Sequence, residues 1–274
     1  MSAIQLSQED ANKLLSSLTL PPLPVILHDV REALSREEDV LGLVDIVAQD
    51  LALSAAVIKT ANSPIFSLRR LDSLVEAVMV LGASNLEAVV VGISLRNALP
   101  LPPILRMFWD EAARMAALAA QIATRQRCCR PDRAYLFSLF RDAGIPVLTQ
   151  RFDFYLAVLN KALADPANFI VHEESCRATS HNTVGCLLAR TWGMPATFSE
   201  AILLHHCFDE LSDAAKVPPD AAVLIATARL AEHILNVYEL GTDDAQWPDI
   251  AAPILNTLQL DDADITSFAD TRIN

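Results

Sequence analysis

The sequence predicts an all-α protein. Three observations carry that prediction. Apolar residues recur at helical spacing along almost the whole chain. No stretch alternates with period two for long enough to make a strand. The apolar content is 52% of residues but only 6% is aromatic, with 7 glycines, a composition of Ala, Leu, Val and Ile that suits long helices packed through small side chains. At 274 residues the chain is long enough to bury a sizeable core.

In chain order, residues 1–19 read as a polar leading helix. LPPLPVIL, 20–27, follows, where Pro21, Pro22 and Pro24 end one helix and set the start of the next. Val40, Leu43, Val44 and Val47 fall on one helical face, as do Leu86, Val89, Val90 and Ile93. Ser35 with Glu38, Ser73 with Glu76, and Ser84 with Glu87 have the spacing of capping boxes. Gly82 ends the second of these helices. LPLPPIL, 99–105, is the internal break that divides the chain. A long helix is predicted over Phe108–Ala123, then a basic connector, RQRCCRPDR, at 125–133. A helix over LFRDAGIPVL, 139–148, comes next. Residues 173–192 and 196–207 form a helix pair broken at Gly193-Met194-Pro195. Leu224, Ala228, Ala231, Leu235 and Tyr238 stripe a further helix, and 241–274 is an acidic tail with a short helix around Ile254–Leu260.

The net charge of −13 has the wrong sign for a surface that tracks phosphates, so no nucleic-acid partner is expected. Five cysteines without a CxxC pair point to a reducing, cytoplasmic setting. The polar, acidic N-terminus does not read as a secretory signal. The most apolar stretch, 74–95, is interrupted by Glu76, Asn85 and Glu87, which argues against a membrane span.

Side chains able to bind metal occur at Glu111, Asp142, His181 and the pair His205-His206. Carboxylate and imidazole from separate helices suit a divalent ion in a bundle core. The plainer reading is structural: His181 shares a face with Val184, Gly185, Leu188 and Trp192, and His205 and His206 lie about 100° apart on a helix, so at most one of them faces any given point. A Cys/His site from Cys176, Cys186 and Cys207 lacks the short ligand spacing of zinc motifs. Arg125, Arg127, Arg130 and Arg133 form the main basic feature, either an anion-binding loop or a solvated one. No nucleophile elbow and no Gly-rich phosphate loop occur.

Taken in order, LPPLPVIL, VAQDLALSAAVIKTANSPIF (47–66) and SLVEAVMVLGASNL (73–86) resemble the opening half of the bacterial HDOD domain, the HD-related output domain. FWDEAARMAALAAQIA (108–123), LFRDAGIPVL and SHNTVGCLLARTWGMPATFSEAILLHH (180–206) resemble its later half, a degenerate relative of HD and HD-GYP phosphohydrolases. The resemblance covers about 20–240 and implies a multi-helix HD-like bundle, with an N-terminal helical half (20–98) packed on a degenerate HD half (104–240). HD enzymes hold metal with a first His, a His-Asp pair and a later Asp. The matching positions here are Glu111, Arg141, Asp142 and, in TARLA, Ala228, so only Asp142 is kept. Arg has no lone pair to donate. The resemblance therefore implies a site that is not catalytic, with no metal and no cofactor, in which Arg141 pairs with Asp142 or Glu111. His181, His205 and His206 fall on retained positions. With no receiver, cyclase or kinase segment in the sequence, a stand-alone regulator is expected. Its partners would be signalling proteins such as a diguanylate cyclase, phosphodiesterase, kinase or response regulator. The alternatives are a nucleotide sensor using the vestigial pocket and the Arg-rich loop, or a phosphohydrolase with reassigned ligands.

Overall fold

A computed structural model describes residues 20–63, 66–177 and 179–270, and every regular element among them is helical. The predicted leading helix over 1–19 lies outside the described residues. The chain divides between Pro100 and Leu101, inside the LPLPPIL segment, into two compact units.

The first unit, Pro22–Pro100, holds α1 (Val25–Ser35), α2 (Val40–Ala48), α3 (Leu51–Ala61) and α4 (Leu74–Ala98). Leu27, Val30, Val47, Val57, Leu86 and Val90 form its buried centre. Ser73 caps α4 as its spacing predicts: its hydroxyl accepts the Glu76 amide at 3.2 Å, and Glu76 accepts the Asp72 amide at 3.2 Å. Ser35 does not start a helix. It is the last residue of α1, its hydroxyl donating to the Glu32 carbonyl at 2.7 Å, and Asp39 caps α2 instead. Gly82 breaks α4 in the left-handed region, at φ 66°, where a side chain is strained. Helix α4 is long and apolar enough to cross a bilayer, but 56% of its most apolar window is buried inside the protein. The segment before α4 is clasped by one side chain. Asn62 accepts the Leu71 amide at 2.7 Å and donates to the Leu71 and Ile58 carbonyls, each at 2.9 Å.

The second unit carries α5 (Phe108–Gln126), α6 (Pro131–Phe140), α7 (Gly144–Arg151), α8 (Tyr155–Leu163) and α9 (Phe169–Arg177). It continues with α10 (His181–Thr191), α11 (Ala196–Leu204), α12 (Pro219–Ile234), α13 (Trp247–Leu258) and α14 (Asp262–Asp270). Pro131 opens α6 at the first helical position, where a missing amide is harmless. Edge-to-face packing of Phe140 on Trp192 and on Phe198, with ring centroids 6.0 and 5.8 Å apart, ties α6 to the end of α10 and to α11.

Three predicted helices end early, and each break builds the site. LFRDAGIPVL is a helix–turn–helix: α6 stops at Phe140, Arg141 to Ala143 turn, and α7 starts at Gly144. Gly144 lies so close to α10 that a Cβ there would stand 2.0 Å from the His181 carbonyl oxygen and 2.9 Å from the Gly185 amide nitrogen. The predicted 173–192 helix is α9 and α10: α10 starts anew at His181 after an extended Ser180, and the Glu173 carboxylate on α9 accepts the His181 amide at 3.1 Å. The 196–207 helix ends at Leu204, which leaves His205 and His206 in the following turn.

Candidate functional site

The break after α6 sets Arg141 and Asp142 side by side with their side chains pointing into the second unit. Arg141 is buried, its side chain 6% exposed. Its Nε donates to Asp142 Oδ2 at 3.0 Å and its Nη2 lies 3.0 Å from Glu232 Oε2. Burial disfavours the guanidinium charge, but Glu232 and Asp142 outweigh it and hold Arg141 more firmly protonated than usual. Of the two partners expected for Arg141, Asp142 or Glu111, it is Asp142 that bonds it, and Glu232 joins because α12 packs against α5 and α6, while Glu111 on α5 is exposed. Ala228 is buried on α12 and offers no ligand. Its neighbour Arg229 extends the network, with Nη2 2.6 Å from Asp244 Oδ1 and Nε 3.7 Å from Glu232 Oε2. Asp244 also accepts from His233 Nδ1 at 2.9 Å, and the His233 ring stacks on Trp247 at 3.8 Å.

The other oxygen of Asp142 faces the histidines. Oδ1 lies 3.2 Å from His205 Nε2 and 3.5 Å from His181 Nε2. His181 Nε2 is 3.2 Å from His205 Nε2 and 3.1 Å from His206 Nε2. Helical rotation would have kept His205 and His206 apart. Lying past the end of α11, they converge instead, with ring centroids 4.3 Å apart. His181 Nδ1 meets Glu173 Oε2 at 2.8 Å, His205 Nδ1 meets the Ile202 carbonyl at 2.6 Å, and Tyr155 donates to Glu173 from behind. Burial works against the charged form of all three rings. At His181 the charge and hydrogen bond of Glu173 overcome it and raise the pKa. At His205 burial outweighs Asp142, and at His206 burial and the neighbouring imidazoles act together, so both are lowered.

A cavity of about 590 Å³ opens onto this cluster. Glu111, Arg141, Asp142, His181, His205 and His206 all line it, so the residues singled out on the HD pattern are brought together, Ala228 excepted. The Arg-rich connector is not part of it. Arg125 bonds Ser267 and lies over the Phe268 ring at 4.2 Å, Arg130 pairs with Asp132 at 2.8 Å, and Arg127 and Arg133 are exposed. Cys176 is exposed, and neither Cys186 nor Cys207 joins the histidines. Sequence reasoning missed Tyr155, Glu173, Arg229, Glu232 and Asp244. Only Arg229 left a trace, as the cation inside TARLA.

The buried carboxylates make the fold acid-sensitive. Asp244 is held at about 2 against an ordinary 3.8: burial opposes ionisation, and hydrogen bonds from His233 and Arg229 outweigh it. Asp142 is also well below its ordinary range, burial being outweighed by Arg141 and His205. A depressed carboxylate contributes stability that is fully present above its unfolded value and lost as pH falls through its folded one. The urea midpoint of the wild type should therefore fall steeply between about pH 4 and about pH 2. In Asp244→Asn that limb should flatten while stability at neutral pH drops. Parallel limbs would refute the role given to Asp244.

Comparison with known proteins places this geometry. The HDOD domain model matches residues 20–208. An HDOD domain protein of unknown function from Geobacter sulfurreducens shares 24% identity at TM-score 0.73, covering 96% of this chain and 93% of its own. A protein described as a candidate phosphohydrolase, from Shewanella amazonensis SB2B, shares 19% identity at TM-score 0.71, covering 96% of this chain and 91% of its own. A candidate signal transduction protein from Marinobacter aquaeolei VT8 shares 22% at TM-score 0.70, covering 98% of this chain and 64% of its own. No curated protein matches. Likeness at these identities shows the fold.

Proposed function

The chain belongs to the HDOD domain family, and from that premise we propose that it is a cytoplasmic signal-transduction regulator that works through protein partners and does not hydrolyse phosphodiesters at its HD centre. The observation that carries this is the buried Arg141 guanidinium, closed by Asp142 and Glu232 where an HD enzyme has a metal-binding imidazole. A guanidinium has no lone pair and brings a fixed positive charge to the place of the cation. Ala228 removes the later carboxylate as well. The residues present do not fit the HD metal, so no hydrolytic step is routed through it. The partners would be signalling proteins of the cyclase, phosphodiesterase, kinase or response-regulator classes. The strongly acidic net charge supports neither nucleic acid nor an anionic membrane as partner. A second reading, a small-ligand sensor, is favoured by the cavity, whose volume lies in the range of small-molecule sites.

Assays with a chromogenic phosphodiester and with cyclic dinucleotides, each in the presence of Mn²⁺, Fe²⁺ or Ni²⁺, should give no turnover above buffer. Arg141→His should fold and remain silent, because Ala228 still offers no ligand. Metal-dependent turnover that disappears in Asp142→Asn would overturn the reading. Nucleotide-induced thermal shifts in the same protein would favour the sensor.

A further inference from the structure

The link between α5 and α6 holds two adjacent thiols. Arg127 ends α5 in the left-handed region, at φ 53°, an uncommon place for a residue that carries a side chain. Cys128 and Cys129 follow in a bend, and Arg130 leads into Pro131 at the start of α6. Neither cysteine lies in a regular element, and both are half-buried, within reach of a small reagent from solvent. Cys128 Sγ lies 3.7 Å from Thr227 Oγ1 on α12, and that hydroxyl also reaches the Val223 carbonyl at 2.7 Å. A hydroxyl hydrogen rotates between two such acceptors, so Thr227 supports either protonation state of Cys128.

The neighbouring thiol decides between those states. A hydrogen bond from Cys129 outweighs burial and brings the Cys128 pKa down to about 6, while Cys128 and burial together push Cys129 up. At neutral pH the pair shares one proton, with Cys128 as the thiolate, the reactive form of the side chain. Burial raises the Cys186 and Cys207 thiols, which stay protonated. Adjacent Cα atoms stand about 3.8 Å apart across a trans peptide, closer than most disulfides span, so a bond between neighbours closes only where the backbone can adjust. The bend at 128–129, outside both helices, meets that condition.

We propose that Cys128 and Cys129 form an oxidative modification site, at which a hydroperoxide converts Cys128 to a sulfenic acid and Cys129 closes it to a disulfide between adjacent residues. In the first step the Cys128 sulfur attacks a peroxide oxygen. An S–O bond forms, the O–O bond breaks, and the leaving alkoxide or hydroxide takes a proton from water. In the second, Cys129 gives up its proton and attacks the Cys128 sulfur. The S–S bond forms, the S–O bond breaks, and hydroxide leaves with that proton as water. The two thiols lose two electrons and the peroxide gains them. A thiol reductant reverses the change, as a transient disulfide in a reducing setting requires. The inference goes beyond the signalling role and does not rest on it.

The test exposes the reduced full chain to hydrogen peroxide and maps its peptides by mass. The peptide holding Cys128 and Cys129 should lose two hydrogens and regain them with dithiothreitol. Cys129→Ser, which removes the second sulfur, should stop at the sulfenic acid and take up dimedone at Cys128. Cys128→Ser should keep Cys129 as a thiol under the same exposure. Cys176→Ser, at an exposed position on α9, should oxidise as the wild type does. A wild type that oxidises at Cys176 while Cys128 and Cys129 both remain thiols would overturn the proposal. So would Cys129→Ser taking up no dimedone at Cys128, or a disulfide that joins either residue to another cysteine.

Discussion

Gly144→Ala should destabilise the protein by about 3 kcal/mol or more, a large effect for a single methyl group. The atoms that methyl group would meet, the His181 carbonyl oxygen at 2.0 Å and the Gly185 amide nitrogen at 2.9 Å, belong to backbone. No side chain can swing aside to make room. Helix α7 would have to back away from α10, drawing the Asp142 turn away from His181. Gly185, on the facing helix, is less tight: a Cβ there would come within 3.1 Å of Ile202 Cγ2, a side-chain atom that can give by a few tenths of an ångström. Urea unfolding read by circular dichroism gives the stability. A midpoint within about 0.5 kcal/mol of the wild type would mean that the α7–α10 packing yields easily and that Gly144 does not set the site.

Arg141→Met should cost about 3–5 kcal/mol at neutral pH, the range for removing one partner of a buried ion pair. Methionine fills much of the same volume, so the loss is electrostatic. Asp142 Oδ2 and the Glu232 carboxylate would be left without the guanidinium that now bonds both at 3.0 Å. Three features separate this from a simple packing defect. The deficit should shrink as pH falls, because unpaired buried carboxylates take up protons at higher pH than paired ones. Added salt should reduce it only in part, since the Arg141 side chain is buried while the Glu232 carboxylate is 32% exposed. Adding Asp142→Asn to Arg141→Met should cost less than the two single changes together. Arg141→Lys should recover only part of the loss, because an ammonium lacks the planar fork that reaches two carboxylates. A pH-independent deficit under about 1 kcal/mol would sink the assignment.

Local rules carried the sequence reading as far as local rules reach. Helical periodicity, the Ser73–Glu76 cap, the Gly82 break and the prolines around Leu101 each depend on neighbours in the chain, and each appears in the structure. The site depends on other things. Arg141 reaches Glu232, and Glu173 reaches His181, only after the helices pack, and a single sequence carries no signal that pairs distant charges. The histidines were misjudged for a specific reason. Their 100° separation assumed that α11 continues through them, whereas it stops at Leu204 and frees both rings to turn inward. The LFRDAGIPVL helix was overextended for a related one: the periodicity is helical on both sides, but Pro146 has no amide to bond the Asp142 carbonyl, which accepts from Ile145 instead.

The Asn62 clasp in the first unit has its own consequence. One amide side chain grips the chain on both sides of a loop, and at Leu71 it touches only main-chain atoms. The clasp therefore holds Leu71 by its backbone and not by its side chain. The path into α4 is thereby pinned through main-chain atoms at Leu71, whose own side chain is buried in the first unit, so backbone and core hold the same point of the chain by two independent means.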